Sequence, residues 1–145
     1  MNTKKLSLLG LFLGVSRAIL NGRFFDKRSA ATITTAGAVT LTAAHLVDNG
    51  LLLCDPNGAS RSYTTPTATL ILASIRNAKV GTSFQLIIVN TADAAEVITL
   101  LAGTGVTVSL DATVGQNETG VFQCVVTNVS TPAVAVYGLG VLARA

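Results

Sequence analysis

The stretch SFQLIIVN, Ser83–Asn90, gives the clearest strand signal in the sequence. Side chains of a β-strand alternate between its two sides, so every second residue from Phe84 to Ile88 falls on one face. Ile87 and Val89 fall on the other face and are also apolar. The pattern therefore predicts a strand that is covered on both sides, inside a sheet with a substantial core.

The sequence after residue 30 has the same β character. Thr, Val, Ile and Ala dominate, and turn signals recur about every ten residues, as in all-β domains. Asp55-Pro56-Asn57-Gly58 is a strong turn signal, and Gly103-Thr104-Gly105 predicts a hairpin turn. The predicted strands cover residues 50–54, 83–90, 96–101, 105–110, 120–127 and 133–137.

Two stretches favour helix instead. Thr65 is a candidate N-cap and Pro66 suits a first helical position, which predicts a short helix over residues 65–75. Residues 42–47 predict one helical turn. The expected fold is therefore mainly β: a single antiparallel, jelly-roll-like β-sandwich over residues 29–145, with one or two short helices and an N-terminal arm over residues 1–28.

Charge is scarce and unevenly placed. Of the 145 residues, 50% are hydrophobic and only 12% are charged, against about 25% in an average soluble domain. Because so few charges are available to cover a surface exposed to water, part of the surface is expected to lie in interfaces with other proteins. Residues 1–28 hold six basic side chains against one acidic, and the remainder holds four basic against six acidic. The cations lack the clustering and interleaved aromatics of nucleic-acid binders, so no specific nucleic-acid partner is expected.

Residues that carry chemistry are few. His45 is the only histidine, and no nucleophile stands in a recognisable relation to it. Cys54 and Cys124, seventy positions apart, form no zinc pattern with it. Because both cysteines lie in apolar strand-like runs, we expect buried reduced thiols, with a bridge between them as the alternative. No enzyme activity, cofactor or metal is expected, and the sequence indicates a structural or interaction protein.

The N-terminal stretch MNTKKLSLLGLFLGVSRAIL permits three interpretations. Two lysines, an apolar run and Ser16-Arg17-Ala18 match the layout of a signal peptide. The uncharged run over residues 6–16 has eleven residues, whereas a membrane-spanning helix needs about twenty. We expect a retained arm that binds a partner, with a membrane-associated anchor as the less favoured alternative. The residues expected to bind are Leu6, Leu8, Leu9, Leu11, Phe12, Leu13, Val15, Arg17 and Arg23.

Four segments in a fixed order carry a family resemblance: TTPTA at 64–68, VGTSFQLIIVNT at 80–91, ITLLAGTGVTV at 98–108 and TNVSTPAVAVY at 127–137. This succession, over roughly residues 38–138, resembles β-rich virion structural proteins of tailed phages and other double-stranded DNA viruses. The resemblance implies a capsid cement or decoration protein that binds major capsid protein subunits in the virion. It also implies a homotrimer or another homo-oligomer, and it brings no catalytic residues.

Two other functions stay open from the sequence. The first is a vertex, tail or fibre-associated virion protein that engages a receptor. The second is a secreted β-sandwich adhesin, which requires a processed N-terminus. Copy number in the particle separates cement from vertex or fibre protein, since cement protein is far more abundant.

Overall fold

A computed structural model of the chain describes residues 29–144. In that range 47% of the residues lie in strands and 12% in helices, so the mainly β class with few helices is confirmed. The strands are β1 (Ala31–Ile33), β2 (Val39–Thr40), β3 (Leu51–Cys54), β4 (Arg61–Thr64), β5 (Ser83–Asn90), β6 (Ile98–Leu101), β7 (Val106–Leu110), β8 (Thr113–Val114), β9 (Glu118–Asn128) and β10 (Ala133–Ala143). The helical segments are a π-helical turn (His45–Asn49) and helix α1 (Ala68–Ser74).

The strands form two sheets. The larger has six strands in the order β1-β3-β5-β9-β10-β7, and the smaller has four in the order β2-β4-β6-β8. From β1 to β9 each successive strand lies in the other sheet. Within residues 29–144, β9 and β10 are therefore the one pair of strands adjacent in both sequence and sheet.

The expectation of antiparallel pairing is wrong. The parallel pairs are β1–β3, β3–β5, β7–β10, β2–β4 and β4–β6, and the antiparallel pairs are β5–β9, β9–β10 and β6–β8. In four of the five parallel pairs, β1–β3, β3–β5, β2–β4 and β4–β6, the chain visits the other sheet once between the two strands and returns in its original direction, whereas β8 returns antiparallel to β6 after the same excursion. Parallel neighbours need such a crossover, whereas antiparallel neighbours can be joined by a hairpin.

One hydrophobic core draws on both sheets. On β5 the buried apolar side chains are Phe84, Leu86 and Ile88, as the sequence predicts. Leu86 lies opposite Phe122 of β9, and Ile88 lies opposite Leu52 of β3. The same cluster contains side chains of the smaller sheet and of both helical segments: Tyr63, Ile98, Leu100, Val114, Leu46 and Ile71.

The two helical segments form where they are expected, but the cap differs. The Thr67 hydroxyl accepts a hydrogen bond from the Leu70 N–H at 3.3 Å, so Thr67 and not Thr65 is the N-cap of α1. Thr65 is buried, and its hydroxyl accepts from the Gly103 N–H at 2.8 Å. That bond ties the start of the helix to the loop after β6.

A turn forms at residues 103–105, as predicted, but it does not close a hairpin. The Val106 N–H donates to the Gly103 carbonyl at 2.9 Å, as in a β-turn. The strands on either side of it, β6 and β7, belong to different sheets. The predicted hairpin is therefore wrong, because the turn carries the chain from one sheet to the other.

Candidate functional site

The larger sheet has an outward face that is partly apolar. The outward side chains of β5, among them Ile87 and Val89, are half-buried or exposed, so the predicted cover on this side is wrong within residues 29–144. Leu142 of β10 is 65% exposed and Tyr137 is 38% exposed. Backbone register aligns the outward residues in rows. The rows are Leu51, Ile87 and Val121; Leu53, Val89, Thr119 and Leu142; and Gln85, Gln123, Tyr137 and Ser109.

The outward faces of both sheets are uncharged. On the smaller sheet, register aligns hydroxyl side chains: Thr40 with Thr64, and Ser62 with Thr99 and Thr113. Within residues 29–144, every charged residue lies in a loop, in the helical turn or at the first position of a strand, as Arg61 and Glu118 do. We define the outward side of the larger sheet as the uncharged face.

The dimensions of the uncharged face suit a protein contact. Six strands about 4.8 Å apart and about six residues long cover a projected area on the order of 500 Å². A standard protein interface takes about 800 Å² from each partner. Cores of interfaces are depleted in charge and surrounded by a polar rim. The uncharged face has that character, because the charged side chains lie in the loops and strand ends around it. Its area is more than half of a standard contact area.

The two cysteines are free and buried, so the expected reduced thiols are confirmed and the bridge is excluded. Cys54 lies opposite Asn90, and Cys124 lies opposite Phe84. Phe84 and Asn90 are six positions apart on β5, which is about 20 Å along a strand, whereas a disulfide needs Cα atoms within about 7 Å. Burial raises the pKa of each thiol from 9.0 to about 12. Neither thiol is a nucleophile at neutral pH.

We expect both thiols to resist a thiol-specific reagent in the native protein at mildly alkaline pH and to react at once in denaturant. Above pH 9.0 the unfolded chain loses thiol protons that the folded chain keeps until about pH 12. The free energy of unfolding should therefore fall as pH rises through that window. The measurement is the number of thiols labelled with time, with denatured protein as the control. Fast labelling of one thiol in the folded protein would contradict the burial described here.

His45 has a structural setting. Its Nδ1 accepts from the Thr42 N–H, and its own N–H donates to the Thr42 hydroxyl, each at 3.2 Å. These reciprocal bonds fix the start of the helical turn. Nowhere in residues 29–144 do three His, Cys, Asp or Glu side chains come together in a way that could hold a metal ion.

The residues that the sequence singles out as an attachment arm, Leu6 to Arg23, lie outside the described residues. Over the described part of the chain, no helix combines the length and the apolar character needed to cross a bilayer.

No family model, curated protein or solved structure matches the chain. Sequence reasoning missed the contributions of β3, β9 and β10 to the uncharged face. The signal for this face lies in the apolar outward residues Ile87 and Val89, but alternation alone does not distinguish an exposed apolar face from a covered one.

Proposed function

We propose that the chain is a structural protein that binds other protein subunits through its uncharged face. More specifically, we propose that it is a virion protein that cements or decorates a capsid by binding the major capsid protein. The observation that carries it is the confinement of charge to loops and strand ends. A binding surface for nucleic acid would need cations to neutralise phosphates, and the strands present none on this face.

We also propose that the two sheets are the layers of a β-sandwich, because one core cluster draws on both. A sandwich of this kind presents two opposite faces, one apolar and one rich in threonine. Jelly-roll connectivity is not part of the proposal, since jelly rolls pair their strands antiparallel. Rigid faces suit a cement protein, which must hold capsid subunits at a fixed distance.

The N-terminal segment has a place in this function. Its apolar residues, with Arg17 and Arg23, would add contact area that the uncharged face lacks for a standard interface. Many copies on a lattice multiply weak contacts into stable attachment. A homotrimer or another homo-oligomer would bring several such segments to one site. The virion is the expected location.

A charge placed on the uncharged face tests this function. Leu142→Glu should weaken binding to capsid at least about tenfold, because an unpaired carboxylate would have to be desolvated in the contact. Leu142 is already 65% exposed, so the variant should fold. Val80→Glu is the matched control, since Val80 is equally exposed, at 65%, in the loop before β5. Equal binding by the two variants would count against the uncharged face as the contact surface.

Mass spectrometry of purified virions tests the role in the particle. A cement protein should occur in numbers comparable to the major capsid protein. A much lower copy number would instead favour the vertex, tail or fibre alternative. Absence from virions together with recovery of a processed secreted form would overturn the proposal in favour of an adhesin.

A further inference from the structure

A cleft opens where three parallel strands of the smaller sheet end. It has a volume of about 680 Å³, within the range of about 300 to 1,000 Å³ that is usual for binding clefts. Its walls are residues 40–44 after β2, residues 64–67 after β4, residues 103–104 after β6, and Leu70 of α1. The described residues that line it include no charged side chain.

Close backbone packing holds the walls of the cleft together. The Leu41 N–H donates to the Thr64 carbonyl at 2.8 Å, and the Ala68 N–H donates to the Thr104 carbonyl at 2.9 Å. A Cβ at Gly103 would lie 2.3 Å from the Thr65 carbonyl oxygen. The cleft is thus a fixed concavity, and its rim carries an apolar side chain, Leu70, that is 56% exposed.

The described chain begins close to this cleft. The Asn49 side-chain amide donates to the Ser29 carbonyl oxygen at 2.7 Å and to its hydroxyl at 3.0 Å. Asn49 ends the helical turn that begins directly after Ala44, a residue of the cleft wall. A turn of five residues rises about 7 Å, which places Ser29 within roughly 15 Å of the cleft.

From these observations we infer that the cleft binds the uncharged run of this chain's own N-terminal segment, residues 6–16. That run has eleven residues without a charge and so matches the uncharged walls. Twelve residues join it to Ser29, and a chain of that length reaches about 40 Å at most, which is more than the span of roughly 15 Å. A short linker that can bridge two sites gives an effective concentration in the millimolar range. Binding within the chain is thereby favoured over capture of a second copy.

Binding of the run in the cleft would keep its apolar side chains from water in the isolated protein, until a capsid partner takes them up in the contact proposed above. This contact forms in the isolated protein, and it goes beyond the capsid binding proposed above. If the run does not bind the cleft, the proposed capsid contact through the uncharged face still stands. If Leu142→Glu does not weaken capsid binding, the proposed cleft contact still stands, so the two proposals are tested separately.

A single tryptophan reports on this contact, because the chain has none of its own. In full-length Phe12→Trp protein we expect a blue-shifted emission maximum and a severalfold reduction in quenching by acrylamide. Adding Leu70→Asp, which puts a carboxylate at the rim of the cleft, should return both to the values of an exposed tryptophan. Adding Val80→Asp, at an equally apolar position 65% exposed outside the cleft, should change neither.

Three results would overturn the inference. Tryptophan exposed to acrylamide in the Phe12→Trp protein alone would show that the run is not bound. The same protection in the Leu70 and Val80 variants would place the run elsewhere. Protection lost on dilution would assign the contact to the segment of a second copy. Circular dichroism of each variant confirms that the sheets are intact.

Discussion

Replacing Asn90 with alanine is expected to lower the free energy of unfolding by about 4 kcal/mol. The Asn90 side chain is fully buried at the end of β5. Its amide N–H groups donate to the Glu96 carbonyl at 2.8 Å and to the Val114 carbonyl at 3.0 Å, and its oxygen accepts from the Ala92 N–H at 3.0 Å. Alanine would remove these three hydrogen bonds from a site that water does not reach. Denaturant unfolding measures the loss.

Asn128→Ala is the matched control for that experiment. The Asn128 side-chain oxygen also accepts three hydrogen bonds, from the Ser130 N–H and hydroxyl and from the Thr131 N–H, at 3.0 to 3.1 Å. Asn128 is exposed, so water replaces the lost partners and the cost should stay below about 1 kcal/mol. Similar losses for the two variants would mean that burial does not set the value of the Asn90 bonds.

Replacing Gly138 with alanine is expected to cost about 3 kcal/mol and to lower the melting temperature by roughly 10 °C. A Cβ at this position would lie 1.7 Å from the Asp111 carbonyl oxygen. That oxygen belongs to the backbone, which turns sharply at Leu110 with a φ of 66°. Since the chain leaves the larger sheet for β8 at this point, relief of the clash would separate β7 from β10.

Gly37→Ala is the comparison that isolates the clash. A Cβ at Gly37 would meet nothing within 4 Å, so this variant changes only the conformational freedom of the chain. Its melting temperature should equal or slightly exceed that of the unchanged protein. An unchanged melting temperature for Gly138→Ala would show that β7 and β10 are not held as closely as described.

Six of the ten described strands could be predicted from sequence because each satisfies one local rule. Alternation over Ser83–Asn90 gave β5 within its observed bounds, and turn residues gave the approximate positions of β3, β6, β7, β9 and β10. The strands β1, β2, β4 and β8 span two to four residues, which is too few for alternation to stand out. They exist because neighbouring strands supply their hydrogen-bond partners.

The direction of strand pairing and the exposure of the uncharged face could not be predicted from sequence, because both depend on contacts between residues that are distant in the chain. Alternation is enough to put Asn90 on the inner side of β5, but the hydrogen-bond partners of its side chain lie up to 24 residues away. Likewise, the sequence shows that Ile87 and Val89 are apolar on the outer side. Whether another layer covers them depends on where the helical segments pack, and Leu46 and Ile71 pack into the core instead.

The alternation of strands between the sheets also constrains how the protein folds. Neither sheet can grow by adding the next strand in sequence, because that strand always belongs to the other sheet until β10 is reached. The hairpin of β9 and β10 is the one local pairing in the described chain; it gives β7 its one partner and β5 its second. Contacts so distant in sequence slow folding. A nascent chain must therefore keep its first strands from aggregating until the last two have been made.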